Sequence, residues 1–423
     1  MQIVKLPARG SGALSTAGWD LRIFTAFGIL GFTNTLLPYI VLSSLYLIVP
    51  FSQPVVLLIE LLPALAVKLL IPHTLHYTPP WVWLLLLTGC WILATIAANA
   101  APPNVIAPIR ILIAVLASAT AAVGEVFFLS RLPRYGKTAL AGWGTGTAAG
   151  GALRAVLPVL VTVYMGIMLR SATGFAYYLL AALIAAYLLV LPSLGAYKLG
   201  ALAVEPELAV NDEGISEFGS PKFTLRPAET SSSISFSERV SRNMQLLSNK
   251  LLRLYINPLL LVTATQIFVL SGTPRASIAL PNFSGYSPFS AAYGVAFQLG
   301  NVMARSTALL FRARRPRLIF ALLVACSLAA ILNTALLVSE NAYVSFSLVF
   351  AIGWFSGIMY MSLFGAATEY LGRNPDVDAE FALGSIGVGQ TAGRLVGALA
   401  GVTFEARLCG LASRNGWWCS TMT

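Results

Sequence analysis

Long apolar runs separated by short polar loops dominate this chain. The runs predict helices at about 21–49, 54–72, 80–100, 106–130, 138–169 and 172–194. After a long polar segment come 254–272, 287–312, 317–338, 341–371 and 379–403. Crossing the hydrocarbon core takes about 20 mostly apolar residues as a helix. The pattern therefore predicts an all-α polytopic membrane protein with about eleven transmembrane helices, six before the central segment and five after it. Two helical halves around a large loop suit a two-bundle transporter plan. The first residues, MQIVKLPARGSG, lack a signal-peptide pattern, so the first apolar run is expected to stay as a helix.

Composition agrees. Of 423 residues, 57% are hydrophobic and only 10% are charged, against about 25% charged in a soluble domain. The formal charge is +11. Its cations sit in short loops, which points to membrane orientation and away from nucleic acid. Lys5 and Arg9, Arg131, Arg134 and Lys137, and Arg312, Arg314, Arg315 and Arg317 fall on one side. The central loop, with Lys198, Lys222, Arg226, Arg239, Arg242, Lys250 and Arg253, joins them. The opposite loops hold Arg110, Arg170 and Arg275. This places the N-terminus in the cytosol and, with eleven helices, the C-terminus in a lumen. Asn282-Phe283-Ser284, a glycosylation acceptor pattern, falls on the lumenal side. Four cysteines exclude a disulfide scaffold. Cys90 and Cys326 lie in apolar helices, while Cys409 and Cys419 can pair if the tail faces an oxidising lumen.

The expected organisation has a cytosolic N-terminus (1–20) and a six-helix bundle (21–194). A Ser-rich loop (195–235) follows, with a composition that cannot form a core and is expected to be disordered. At 236–253, Phe236, Val240, Met244, Leu247 and Leu251 recur at helical spacing with basic residues between them. Ser235 and Glu238 make a capping-box pattern. This reads either as an amphipathic helix on the cytosolic membrane face or as an extension of the next helix. A five-helix bundle (254–403) and a lumenal tail (404–423) complete the chain.

The chemistry lies in charges placed inside apolar runs. A carboxylate in a membrane helix normally faces the bundle interior or a wet cavity. Glu125 sits in such a run beside Ser118, Thr120 and Gly124. It is read as a proton carrier or a partner for a cationic group, or else as an ion pair with Arg131 or Lys137. Glu60 and Lys68 are eight residues apart, on one helix face two turns apart, with Pro63 between them to open the backbone. The other reading of Lys68 is a side chain snorkelling to the interface. The run GTGTAAGG lacks a Lys-Ser/Thr and a preceding strand, so it is no phosphate loop. Gly142, Gly146 and Gly150, and Gly144, Thr147 and Gly151, make two close-packing faces. Arg154 in the same helix needs an anion. Tyr293, Gln298, Asn301 and Arg305 make a polar face on a later helix, and Arg394 follows Gln390 by four. Lys68, Arg154, Arg305 and Arg394 outnumber the intramembrane acids, which suits an anionic or zwitterionic substrate. His73 and His76 lack a third ligand, and no catalytic grouping occurs. No metal, cofactor or enzyme activity is expected.

The stretches LLIELLPALAVKLLIP (57–72), GEVFFLS with its downstream glycine run (124–151), YGVAFQLGNVMARS (293–306) and AEFALGSIGVGQTAG (379–393) resemble the battenin family of lysosomal and vacuolar membrane proteins. The resemblance implies a fold similar to the major facilitator superfamily. It puts Glu60, Lys68, Glu125 and Arg305 at the family's charged positions, and Gly146 and Gly151 in its glycine run. The chain departs from the pattern at Gln266, Leu270 and Ser271, at Thr35 and Pro38, and at Gln390, where the family carries an acid or other polar groups. The expected function is vacuolar or lysosomal transport, or its regulation. The resemblance links this to vacuolar pH homeostasis and to basic amino acid transport or glycerophosphodiester efflux. Partners are then membrane lipid and a small-molecule substrate. The alternative is a membrane scaffold that recruits cytosolic trafficking partners through its central loop.

Overall fold

The computed structural model describes residues 13–46, 53–75, 77–100, 107–166, 173–190, 236–274, 286–307, 315–336, 338, 341–374 and 377–414. Asn282, His76, the 195–235 loop and residues 415–423 lie outside them. Among the described residues the regular elements are all helices. The helices are α1 (Ala13–Tyr46), α2 (Gln53–Leu70), α3 (Pro80–Ala100), α4 (Ala107–Val159), α5 (Phe175–Val190) and α6 (Phe236–Leu246). They continue with α7 (Asn257–Gly272), α8 (Tyr286–Ser306), α9 (Pro316–Leu336), α10 (Ala342–Arg373) and α11 (Ala379–Arg414).

Most of these helices are apolar all round, because lipid is as apolar as the protein core. In α3, Trp83, Leu87 and Trp91 are buried while Leu85 and Leu93 are exposed. Small residues therefore decide which faces meet. Gly142 and Gly146 of α4 rest against the backbone carbonyls of Phe24 and Gly28 in α1, where a Cβ would clash. In the C-terminal half, Gly393 and Gly397 of α11 rest on the carbonyls of Leu260 and Ala264 in α7, each 2.5 Å from the Cβ position. Among the described residues the N-terminal half thus holds one such close pair, α1 with α4, and the C-terminal half two, α7 with α11 and α8 with α10, where Gly300 and Gly353 rest on the carbonyls of Phe350 and Phe297. The halves meet where α4 packs on α8 and where α2 packs on α11.

Two expectations change. The loop expected over 131–137 is helical as far as Gly136. There the backbone turns (φ 74°, ψ −157°) and a second arm of α4 begins. Glycine adopts this left-handed conformation without the steric cost that a side chain brings. The helix expected to open at Pro63 runs through it unbroken from Gln53 to Leu70. The 236–253 segment is joined to the helix after it. Helical backbone continues from Phe236 through a π-helical stretch, Leu247–Ile256, into α7.

Seven described segments are long and apolar enough to cross a membrane. Eleven crossings were expected. One of the seven, Ala107–Thr162, has 56 residues and contains the Gly136 corner. At a rise of about 1.5 Å per residue it has length for two crossings of a core about 30 Å thick. Outside the seven stand α5, which is short, and α8 and α11. The last two carry Gln298, Asn301, Arg305, Gln390 and Arg394, and these polar groups lower their hydropathy.

Candidate functional site

A cavity of about 420 Å³ lies between the halves, lined by α1, α2, both arms of α4, α7, α8, α10 and α11. Its charged lining is Glu60, Lys68, Glu125, Arg154, Arg305 and Arg394. All six were singled out in the sequence, and they come from α2, both arms of α4, α8 and α11.

Lys68 is buried at 3% exposure, so it does not snorkel to the interface. Its ammonium lies 2.7 Å from Glu125 Oε1 and donates to the Gly387 carbonyl of α11 at 3.3 Å. The Lys68–Glu125 contact is an ion pair by distance, but its angles miss hydrogen-bond geometry, since Oε1 has no hydrogen-bond partner. Gly387 makes room for both groups: a Cβ there would sit 3.1 Å from Glu125 Oε1 and 3.6 Å from Lys68 Nζ. The expected pairing of Glu125 with Arg131 or Lys137 is not formed. Arg131 and Arg134 instead meet Glu380 at the start of α11, and Lys137 lies 3.7 Å from Glu369 at the end of α10. These contacts tie the Gly136 corner of the N-terminal half to the C-terminal half.

The arginines differ from these pairs. Arg305 is 6% exposed. Its Nη1 donates to Thr147 Oγ1 at 2.8 Å, and its guanidinium lies 3.9 Å from the Tyr360 ring centroid. Its Nε is buried without a partner. Arg154 sits over the Tyr39 ring at 4.9 Å. Both Arg154 and Arg394 are exposed to the cavity. Among the described residues, no ion pair reaches Arg154, Arg305 or Arg394. Glu60 likewise has no ion-pair partner there, although its backbone carbonyl accepts from Ser118 Oγ.

The glycine run divides between two jobs. Gly146 and Gly150 face α1, with Gly150 beside Phe32 and Thr35. Gly144 and Gly151 face the C-terminal half. Gly144 touches Met361, and a Cβ on Gly151 would sit 2.8 Å from Gln298 Oε1. Gln298 and Asn301 line the main cavity. Tyr293 does not. Its hydroxyl bonds Thr273 Oγ1 at 2.7 Å, and it lines a second cavity of about 480 Å³. That cavity joins the first through Tyr39, Arg154 and Gln298, toward the α4 end far from the Gly136 corner.

Sequence reasoning missed Tyr39, Tyr360 and Trp143 in the lining. Tyr39 and Tyr360 are single aromatic residues in apolar runs and Trp143 one in the glycine run, patterns that give no signal of a lining role. It also missed Glu380, whose partners are 249 and 246 residues away in the chain. Among the described residues, no group of three metal-ligating side chains occurs.

Comparison with known proteins agrees with this geometry. Two crystal structures of the Escherichia coli fucose:proton symporter FucP, a major facilitator superfamily transporter, share the fold. One, in the outward conformation, has a TM-score of 0.51 at 14% identity, covering 92% of this chain and 97% of that one. A point variant gives 0.53 at 12% identity, covering 94% and 92%. "Protein btn-1" of Neurospora crassa is 26% identical, over 95% of this chain and 91% of its own. "Protein BTN1" of Yarrowia lipolytica is 28% identical, over 94% and 98%. The family described as "CLN3 protein" matches residues 25–411. With that match running through every helix that lines the cavity, the chain is a multi-pass membrane protein of the CLN3, or battenin, family with a major facilitator type of fold.

Proposed function

We propose that the protein is a vacuolar or lysosomal carrier that moves small organic anions by alternating access, with glycerophosphodiesters as the substrate class. The observation that carries this reading is the cavity's charge: four cations against two carboxylates, with three guanidiniums unpaired among the described residues. Guanidinium groups bind phosphate oxygens through directed, often bidentate, hydrogen bonds. Arg305 is held by Thr147 and Tyr360 with Nε left to a ligand, while Arg154 and Arg394 offer further positive charge. Gln298 and Asn301 supply neutral hydrogen-bonding groups for the rest of the substrate. Glu60 takes a cationic headgroup or a proton. A cationic amino acid fits this charge balance less well, so transport of basic amino acids is the weaker of the two activities.

In this reading Lys68 and Glu125 couple the site to the halves. Lys68 joins α2 and α4 to the α11 backbone, so a substrate anion or a proton that disturbs the pair loosens α11. The contacts of Arg131, Arg134 and Lys137 with Glu380 and Glu369 hold one end shut while the cavities extend toward the other. Eleven crossings, a cytosolic Gly136 corner and a lumenal C-terminus complete the proposal. The basic residues at that corner support the orientation. The scaffold alternative draws on the 195–235 loop, and nothing in the cavity favours it.

The test is the metabolite content of purified vacuoles from cells lacking the protein. Glycerophosphodiesters should rise, and the natural chain should restore them while Arg305→Gln should not. Unchanged phosphodiesters in the null, or full rescue by Arg305→Gln, would sink the proposal.

A further inference from the structure

The same six side chains set a condition on how the carrier can move. Lys68 and Glu125 neutralise each other. If Glu60 pairs with one arginine on closure, two guanidiniums still remain. While the cavity is open, water hydrates Arg154 and Arg394, which are exposed to it. Arg305, already buried, leans on Tyr360 and Thr147. An alternating-access cycle passes through a state sealed at both ends. Sealing strips that water, and an unpaired charge in a low-dielectric interior is costly unless a counter-charge accompanies it. The far end of the molecule carries no such burden. At the Gly136 corner each cation already has a carboxylate across the halves.

We infer that the protein is an anion exchanger: it reorients only with an anion in the arginine cavity, so one anion leaving is matched by one entering. This rests on the carrier reading above and adds its mode. The return passenger is a small oxyanion of the same class as the substrate. An empty cavity, with two guanidiniums uncompensated, stays open to one side. A bound anion shifts the equilibrium because it interacts more strongly with the sealed state than with the open one.

The experiment uses the full-length protein in liposomes, with radiolabelled glycerophosphoinositol outside. The lumen holds either unlabelled glycerophosphoinositol or only potassium chloride buffered with Tris. Valinomycin with equal potassium on both sides removes any membrane potential, so charge movement does not limit net uptake. Initial uptake into loaded vesicles should exceed uptake into empty ones by at least about tenfold, a barrier difference of about 1.4 kcal/mol. In Arg394→Gln the ratio should fall at least about twofold, with net uptake rising, because one uncompensated charge is gone. Arg154→Gln is the second variant and should shift the ratio the same way. Equal uptake into loaded and empty vesicles overturns the exchange mode and leaves the carrier reading standing. A natural-chain ratio retained in both variants, or both modes lost in both, overturns the charge origin of that mode. No uptake into either vesicle type overturns the carrier reading, and exchange falls with it.

Discussion

The two ends of the interface between the halves treat charge in opposite ways. At the Gly136 corner, Arg131 and Arg134 share Glu380, and Lys137 meets Glu369. In the cavity, Arg154, Arg305 and Arg394 have no ion-pair partner among the described residues. The Lys68–Glu125 pair lies between the two regimes, tied to the α11 backbone. A chain that supplies counter-charges 249 residues away at one end and withholds them at the other leaves the missing charge to a ligand. Pairing at the corner holds a conformation, and the unpaired guanidiniums select what enters.

This contrast can be broken from either side. Replacing an unpaired charge should remove function without removing stability. Arg305→Gln should cut phosphodiester uptake at least about 30-fold, by losing a charge-assisted contact worth about 2–5 kcal/mol. Its detergent-solubilised melting temperature should not fall, because the lost charge had no counter-ion. Uptake kinetics beside a thermal melt check both parts. A marked drop in melting temperature would show that Arg305 is structural.

Replacing one member of a pair should cost stability as well. Glu125→Gln leaves the Lys68 ammonium buried beside a neutral amide. Stability should fall by about 3 kcal/mol, whereas the double variant Lys68→Met with Glu125→Leu should recover most of it. A double-mutant cycle on melting curves, with Lys68→Met and Glu125→Leu also made singly, measures the coupling, and single losses that simply add in the double variant would contradict the pair.

The corner contacts should show the smallest effect on stability. Arg134 is 41% exposed but Arg131 is only 12% exposed, so Glu380→Ala should cost between about 1 and 2 kcal/mol, less than the loss at Glu125. Its consequence is conformational. A cysteine replacing buried Ser385 should react with a membrane-impermeant thiol reagent about three- to tenfold faster once Glu380 is removed, as the closed population falls. Unchanged labelling would mean that the corner contacts do not hold that end shut.

Much of the site was legible because charges are so costly in apolar helices that each one announces itself. Glu60, Lys68, Glu125, Arg154, Arg305 and Arg394 all stood out from their runs, and all reach one cavity. Their partners were not legible. Glu125 was read toward Arg131 or Lys137, its neighbours in sequence. Lys68 reaches it instead from another helix, while Arg131 and Lys137 cross to the other half. Tertiary pairing of this kind leaves no periodic trace. The fold class was plain in the apolar runs. So was the break between the two arms of α4, expected over 131–137 and found at Gly136; the residue that makes the corner was not, because one glycine with φ 74° looks in sequence like any other loop glycine. Tyr39 and Tyr360 were invisible for a related reason: an aromatic ring beneath an arginine reads as one more apolar residue.

The most direct measurement is equilibrium binding of radiolabelled glycerophosphoinositol to the purified protein, with unlabelled arginine and unlabelled glycerophosphocholine as competitors. Saturable binding that glycerophosphocholine displaces, that arginine leaves intact, and that Arg305→Gln abolishes is the expected result. Binding of arginine in preference to the phosphodiester, or phosphodiester binding indifferent to Arg305, would contradict the assignment of the unpaired guanidiniums to an anion.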